Sequence, residues 1–213
     1  RTVPKGSAED YFFLVNVEAN NRLFQAAKKV GVRSAVLLTS YFHPLRPEMS
    51  AHPYVASRIA SEEDALSMSD ESFRVVILQP PYVFGSVPGR TTLGDSIARV
   101  SWLPLLLPGG GTNAMSVRSL AEAIVGSLER PVSGSFLVGD ENLTNKALFK
   151  RFGGRSWRLP TVVLRAVMGL GKLFLKLRGR ESGLDPVRLV DTLASDMFFN
   201  AEPSAKALGY TRG

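Results

Sequence analysis

The sequence predicts an α/β fold in which a partial, doubly wound parallel sheet is followed by a mostly helical C-terminal region. Three observations predict it. "RSAVLLTS" (33–40) and "FRVVILQP" (73–80) are apolar runs of strand length without polar alternation, the pattern of strands buried on both faces. Each follows a longer segment of helical spacing, giving the helix, strand, helix, strand rhythm of crossover units. At 213 residues, 45% apolar and 21% charged, the chain is long enough for one substantial core.

The elements follow in order. "YFFLVNVEANNRLFQAAKKVGV" carries apolar Phe13, Val17, Leu23, Phe24 and Ala27, ends in Lys28 and Lys29, and is followed by Gly31, which stops a helix. After the first strand and a proline-rich loop comes "HPYVASRIASEE" (52–63), a helix in which Tyr54 and Arg58 stand at i, i+4 and therefore on one face. The second strand closes at Pro80 and Pro81. "LPLLLPGGGTN" (103–113) reads as a turn-rich loop, "SLAEAIVGSLER" as a helix capped by Ser119, "GSFLVGD" as a short strand, and the tail from Thr161 as largely helical. A boundary is expected near residues 85–115, where glycine and proline cluster.

Composition excludes several chemistries. Without cysteine there is no disulfide, thiolate nucleophile or cysteine-ligated metal, and with His43 and His52 as the only histidines no metal site is expected. The net charge of +7 is concentrated between Asn142 and Arg180, where ten Lys or Arg stand with no Asp or Glu. Interleaved aromatics and a recognition motif are missing there, so nucleic acid is not an expected partner and a solvated basic face is the plain reading. "RTVPKGSAED" has neither an apolar core nor a cleavage pattern and is not read as a signal peptide. Arg165 and Lys172 interrupt the longest apolar stretch, leaving no spanning segment.

Six pieces in order resemble the extended short-chain dehydrogenase/reductase family, the group of nucleotide-sugar epimerases and dehydratases, dihydroflavonol reductases and 3β-hydroxysteroid dehydrogenases. They are "VNVEANNRLFQAAKKVGV" before the catalytic strand, "AVLLTS" as that strand, "YVASR" on the active-site helix, "VVILQPPYVFG" under the nicotinamide, "SVRSLAEAIVGSLE", and the closing "FFNAEPSAKALGY". The resemblance spans nearly the whole chain. It implies a Rossmann-like sheet, NAD or NADP as cofactor, a small-molecule substrate such as a sugar nucleotide or steroid, and hydride transfer at a carbinol or carbonyl carbon. It divides the chain into 1–90, the C-terminal half of the dinucleotide-binding domain with the active-site helix, and 91–213, a substrate-binding or lid region interleaved with the last sheet strand.

The sequence departs from the family in three places. A strand, Gly-rich turn and helix for the cofactor phosphates is missing, and "GLGKLFLK" (169–176) sits inside an amphipathic helix instead, so the chain is expected to be N-terminally truncated. The family's tyrosine and lysine are Tyr54 and Arg58, and an arginine keeps the positive charge in a larger, planar fork. The position of the family's serine, two residues after Thr39, holds Tyr41, with Ser40 adjacent. Consecutive side chains on a strand face opposite ways, so only one of the two can point at the site.

The implied roles are Tyr54 as general acid and base, Arg58 as ribose and charge partner, Ser40 or Tyr41 as donor to the substrate oxygen, and Asn16 as an ordering residue on the crossover helix. Cofactor contacts fall to Thr39, Tyr54, Arg58, Pro80, Pro81, Tyr82 and Val83. Each has a plain alternative: Tyr54 a surface helix residue, Arg58 a solvated charge paired with Glu62 at i+4, Asn16 a solvent-facing amide, Ser40 and Tyr41 strand-end packing, Pro80–Val83 a simple strand end. His43 and His52 are assigned nothing. A competing class is a non-catalytic Rossmann-like protein that senses or binds cofactor.

Val163, Val167, Leu170, Phe174 and Leu177 form one helical stripe, with Arg165, Lys172 and Lys176 on another face. This is read as a lid or packing helix, or alternatively as a peripheral membrane contact through 161–179. The expected location is the cytoplasm, with membrane association as the alternative. A homodimer built on helices that include the one bearing Tyr54 completes the expectations.

Overall fold

The computed structural model describes residues 7–85, 105–181 and 183–213. Most of the expected boundary region, 85–115, lies outside them. The chain opens with a continuous helical rod. It comprises α1 (Ala8–Phe12), capped by Ser7 Oγ, a π-helical segment (Phe13–Glu18) and α2 (Ala19–Lys29). Gly31, at φ 82°, turns the chain out of the rod in a conformation that only glycine adopts freely.

The two apolar runs form β1 (Ser34–Leu38) and β2 (Arg74–Gln79), parallel and in register from Ser34↔Arg74 to Leu38↔Leu78. On the far side of β2 lies β6 (Gly134–Leu137), again parallel, so the order is β1-β2-β6. Between β1 and β2 run α3 (Phe42–Leu45), a 3₁₀ turn (Pro47–Ala51) and α4 (Pro53–Ser67), whose first residue is a proline with φ preset for a helix.

Helices cover both faces of this sheet. Leu37, Val75 and Ile77 pack with Phe24 of α2, Ala65 of α4 and Phe73. Val76 and Leu78 point the other way, against Ala123 of α5 (Val117–Glu129) and against Ala205 and Leu208 of α9 (Glu202–Leu208). Unbroken apolarity along β2 thus has its expected cause: alternate side chains enter two separate cores.

"LPLLLPGGGTN" is not a loop. It contains β4 (Leu105–Leu107) and the start of β5 (Gly111–Ser116). β5 pairs with β3 (Tyr82–Phe84) and β9 (Asp196–Met197) in parallel and with β7 (Glu141–Thr144) antiparallel, while β4 pairs with β8 (Ser156–Arg158). The partners lie tens of residues away, and long-range pairing overrides the local turn signal of the prolines and glycines.

The cap of α5 is Ser116, not Ser119. Ser116 Oγ accepts from the Ser119 N–H at 3.0 Å, while Ser119 is buried one turn inside and donates to the Thr211 carbonyl.

The C-terminal region is helical as expected: α6 (Asn145–Arg151), α7 (Thr161–Leu177), α8 (Pro186–Leu193) and α9. No residue of α7 is buried. Arg165 pairs with Asp191 of α8, and Lys172 reaches Asp185, the α8 cap, at 2.6 Å. The two cations fasten α7 to α8, and its apolar stripe stays between 47% and 78% exposed.

Candidate active site

α4 begins near the carboxyl end of β1, where open parallel sheets bind their ligands. His52 takes an extended conformation as its N-cap, Pro53 starts the helix, and Tyr54 follows in the first turn. The Tyr54 N–H donates to the Gly183 carbonyl at 3.1 Å. Its ring meets Phe12 edge-on, centroids 5.4 Å apart at 79°.

One turn along, the Arg58 guanidinium carbon lies 5.4 Å from the Tyr54 ring centroid, a cation–π distance. Arg58 Nη1 donates to the Leu38 carbonyl at 3.1 Å, and Nε is buried without a partner among the described residues. The spacing read from the sequence therefore brings tyrosine and cation together.

Asn16 stands behind them. It is 7% exposed, and its amide faces α4 rather than solvent: Nδ2 donates to Ser57 Oγ at 2.9 Å. Ser57 Oγ in turn donates to the Tyr54 carbonyl at 2.9 Å. Asn20 bonds Ser61 and Asn21 bonds Asp64, so a row of amides on the rod holds successive turns of α4. Asn16 thus reaches the first turn of α4 through one intermediary, Ser57.

The remaining expected residues divide. The Thr39 N–H extends the β1–β2 ladder to the Leu78 carbonyl at 2.9 Å. Ser40 is half-buried beside it, its hydroxyl engaged by no described residue. Tyr41 is taken up by packing. Its hydroxyl shares a 2.8 Å hydrogen bond with Thr112 Oγ1, and its ring lies against Phe42, Tyr82 and Phe199. Burial pushes the Tyr41 hydroxyl well above the usual tyrosine range, with Tyr82 adding to the shift and the Thr112 bond opposing it. Pro80 and Pro81 end β2, while Tyr82 and Val83 enter β3 opposite Ala114 and Met115.

One cluster was not foreseen. Glu62 is 5% exposed, and its Oε2 accepts from Gln79 Nε2 at 2.7 Å; His43 Nε2 lies 3.5 Å from the same oxygen. Read as a weak surface partner of Arg58, Glu62 instead sits under α4 beside the end of β2. The available signal was its face: residue 62 lies one turn beyond Arg58 on the side of α4 that covers the strand ends.

The sequence matches no family model and no curated protein. Its fold matches solved structures. It is similar to the crystal structure of gox2253 at 21% identity and TM-score 0.72, covering 98% of this chain and 69% of that one. It is similar to the Bordetella bronchiseptica enzyme WbmG in complex with NAD and UDP at 16% identity and TM-score 0.63, covering 93% and 61%. It is similar to UDP-N-acetylglucosamine 4-epimerase from Bacillus cereus at 12% identity and TM-score 0.60, covering 91% and 64%. The chain thus spans roughly three fifths to two thirds of the length of these structures. The likeness is one of fold: an α/β, Rossmann-like parallel sheet.

Proposed function

We propose that this chain carries the proton-handling part of the active site of an NAD(P)-dependent oxidoreductase or epimerase/dehydratase. One observation carries the reading: Tyr54 and Arg58 share a face of α4, guanidinium over ring at 5.4 Å, by the carboxyl end of a parallel strand. The NAD-bound and epimerase structures of similar fold support it.

The residues present suit the nicotinamide end of such a cofactor. The buried Arg58 Nε–H has no described acceptor, and a ribose hydroxyl would supply one. Tyr54 and Arg58 would hold that ribose, with Thr39 and the Pro80–Val83 backbone alongside. When bound, the cofactor supplies the hydride donor or acceptor. Tyr54 gives a proton to, or takes one from, the oxygen of a carbinol or carbonyl carbon. Ser40 donates a hydrogen bond to that oxygen. Phe12 shields one edge of the tyrosine ring from water. A sugar nucleotide or a steroid is the substrate class.

The test is Tyr54→Phe in the whole protein, with reduction or oxidation of nicotinamide followed by absorbance across a panel of nucleotide sugars and hydroxysteroids. Turnover falling by roughly two to four orders of magnitude supports proton handling by Tyr54. Turnover equal to the parent's rejects it. The non-catalytic alternative rests on a different observation, the commitment of Arg58 Nη1 to the Leu38 carbonyl. It requires saturable NAD(P) binding with no turnover by the parent protein.

A peripheral membrane contact through 161–179 is supported by the orientation of α7. Its apolar stripe faces outward because Arg165 and Lys172 are spent on α8. No helix among the described residues is long and apolar enough to cross a membrane.

A further inference from the structure

A cavity of about 430 Å³ lies between the start of α4 and the α7–α8 pair. His52, the α4 N-cap, forms part of its wall, and its ring is almost fully buried, with 4% exposure. His52 Nδ1 accepts the Asp185 N–H at 3.1 Å, so that nitrogen holds a lone pair. Burial holds the imidazole below its usual pKa; Arg188 and Lys172 push the same way and Asp185 opposes them. The ring is thus neutral at pH 7, and its proton sits on Nε2. Nε2 is buried with no partner among the described residues. Buried donors are nearly always matched by an acceptor, so this N–H is available to a ligand in the cavity whose wall His52 forms.

The charges around it point to the chemistry of that ligand. Four cations line the cavity, Lys172, Lys176, Arg180 and Arg188, with two carboxylates, Glu181 and Asp185. Both carboxylates are already engaged: Asp185 by Lys172 at 2.6 Å, and Glu181 by the Ala8 N–H at 2.9 Å. Lys176, Arg180 and Arg188 have no carboxylate partner among the described residues. Two positive charges remain, which a phosphoryl group of nearly two negative charges neutralises. The 15-residue helix α4 also begins at this wall, with its positive end toward the cavity.

We propose that this cavity is a binding site for a phosphoryl group, with His52 Nε2–H as the buried donor and Lys176, Arg180 and Arg188 as the neutralising rim. The site does not depend on the role given to Tyr54. The phosphoryl group belongs either to a soluble phosphate ester or to a lipid headgroup presented beside α7.

The experiment follows the imidazole resonances of the whole chain by NMR while inorganic phosphate is added at constant ionic strength. With two histidines, His43 serves as the internal control. A saturable shift of His52 with His43 unmoved is expected. Replacing exposed Lys176 and Arg188 together by alanine, which leaves the core untouched, is expected to weaken binding roughly tenfold or more. An unmoved His52, a shift reproduced by chloride, or an unchanged affinity in the double variant overturns the proposal. Glycerol phosphate competing as well as phosphate assigns the site to soluble esters. Competition by phosphatidic acid vesicles, absent with phosphatidylcholine vesicles, assigns it to lipid headgroups.

Discussion

Arg58 Nη1 donates to the Leu38 carbonyl on the edge of β1 that faces away from β2. The Thr39 N–H crosses to Leu78, and successive backbone groups point to opposite edges, so the Leu38 carbonyl faces outward. No described strand pairs that edge. Arg58 is therefore a sheet-edge cap as well as the neighbour of Tyr54.

Replacing Arg58 by alanine removes that bond and the cation together. A loss of about 1 kcal/mol is expected from the half-exposed hydrogen bond, read from urea denaturation midpoints. Arg58→Lys restores charge without the fork, so NAD(P) affinity is expected to recover more fully than stability. Equal recovery of both would contradict the edge-capping role.

Asn16→Ala is expected to cost about 1–2 kcal/mol, since the buried Ser57 hydroxyl loses its donor. Asn20→Ala, one turn along the rod, is expected to match it in stability. Only Asn16 reaches Tyr54 through Ser57, so only its loss is expected to lower kcat, with KM little changed. Parallel kinetic losses in both variants would remove the positioning role.

Alkaline pH tests the buried tyrosines. Burial raises Tyr41, Tyr82 and Tyr210 above the ordinary 10.0; for Tyr210 the nearby Asp140 and Glu202 add to the shift, against the Gly139 hydrogen bond and Arg212. Between that value and the raised ones, the unfolded chain gives up protons that the folded chain retains. Stability is therefore expected to fall as pH rises above 10.0, with no slope from these groups below it. Denaturation midpoints measured across that range check it. A flat profile would show that these hydroxyls are open to solvent.

For α7, Leu170→Ser with Phe174→Ser is expected to change stability by less than about 0.5 kcal/mol, because both side chains stand in solvent. Sedimentation with phosphatidylglycerol vesicles is expected to drop sharply in the same variant. Undiminished sedimentation would leave α7 as a helix exposed for some other reason.

The parts of the fold legible in the sequence are those whose signal is local. β1, α4 and β2 announce themselves because both strands are continuous apolar runs and the helix starts at a proline, although only β2 is buried on both faces; β1 is half-buried, with Leu38 exposed. β4 and β5 do not, since what makes Leu105–Leu107 a strand is Ser156–Arg158, half a hundred residues on. The site divides the same way. Tyr54 and Arg58 are set by helical spacing alone, whereas Glu62 owes its burial to Gln79 and His43, which arrive from other elements. Ser116 and Ser119 show a third case. Either serine could cap a helix by type, and only backbone conformation at Ser116 decides.

The π-helical segment at Phe13–Glu18 has a consequence for the length of the rod. A π turn holds one residue more than an α turn, and each residue added or removed rotates the downstream helix by about 100°. Phe12, against Tyr54, and Phe24, against Phe73, lie on opposite sides of the segment and are phased to each other through it. The wide turn thus absorbs one residue without disturbing either anchor: one residue deleted within 13–18 would let the rod relax to an ordinary helix with both aromatics still in step, whereas one deleted between Ala19 and Phe24 would swing Phe24 by about 100° away from Phe73.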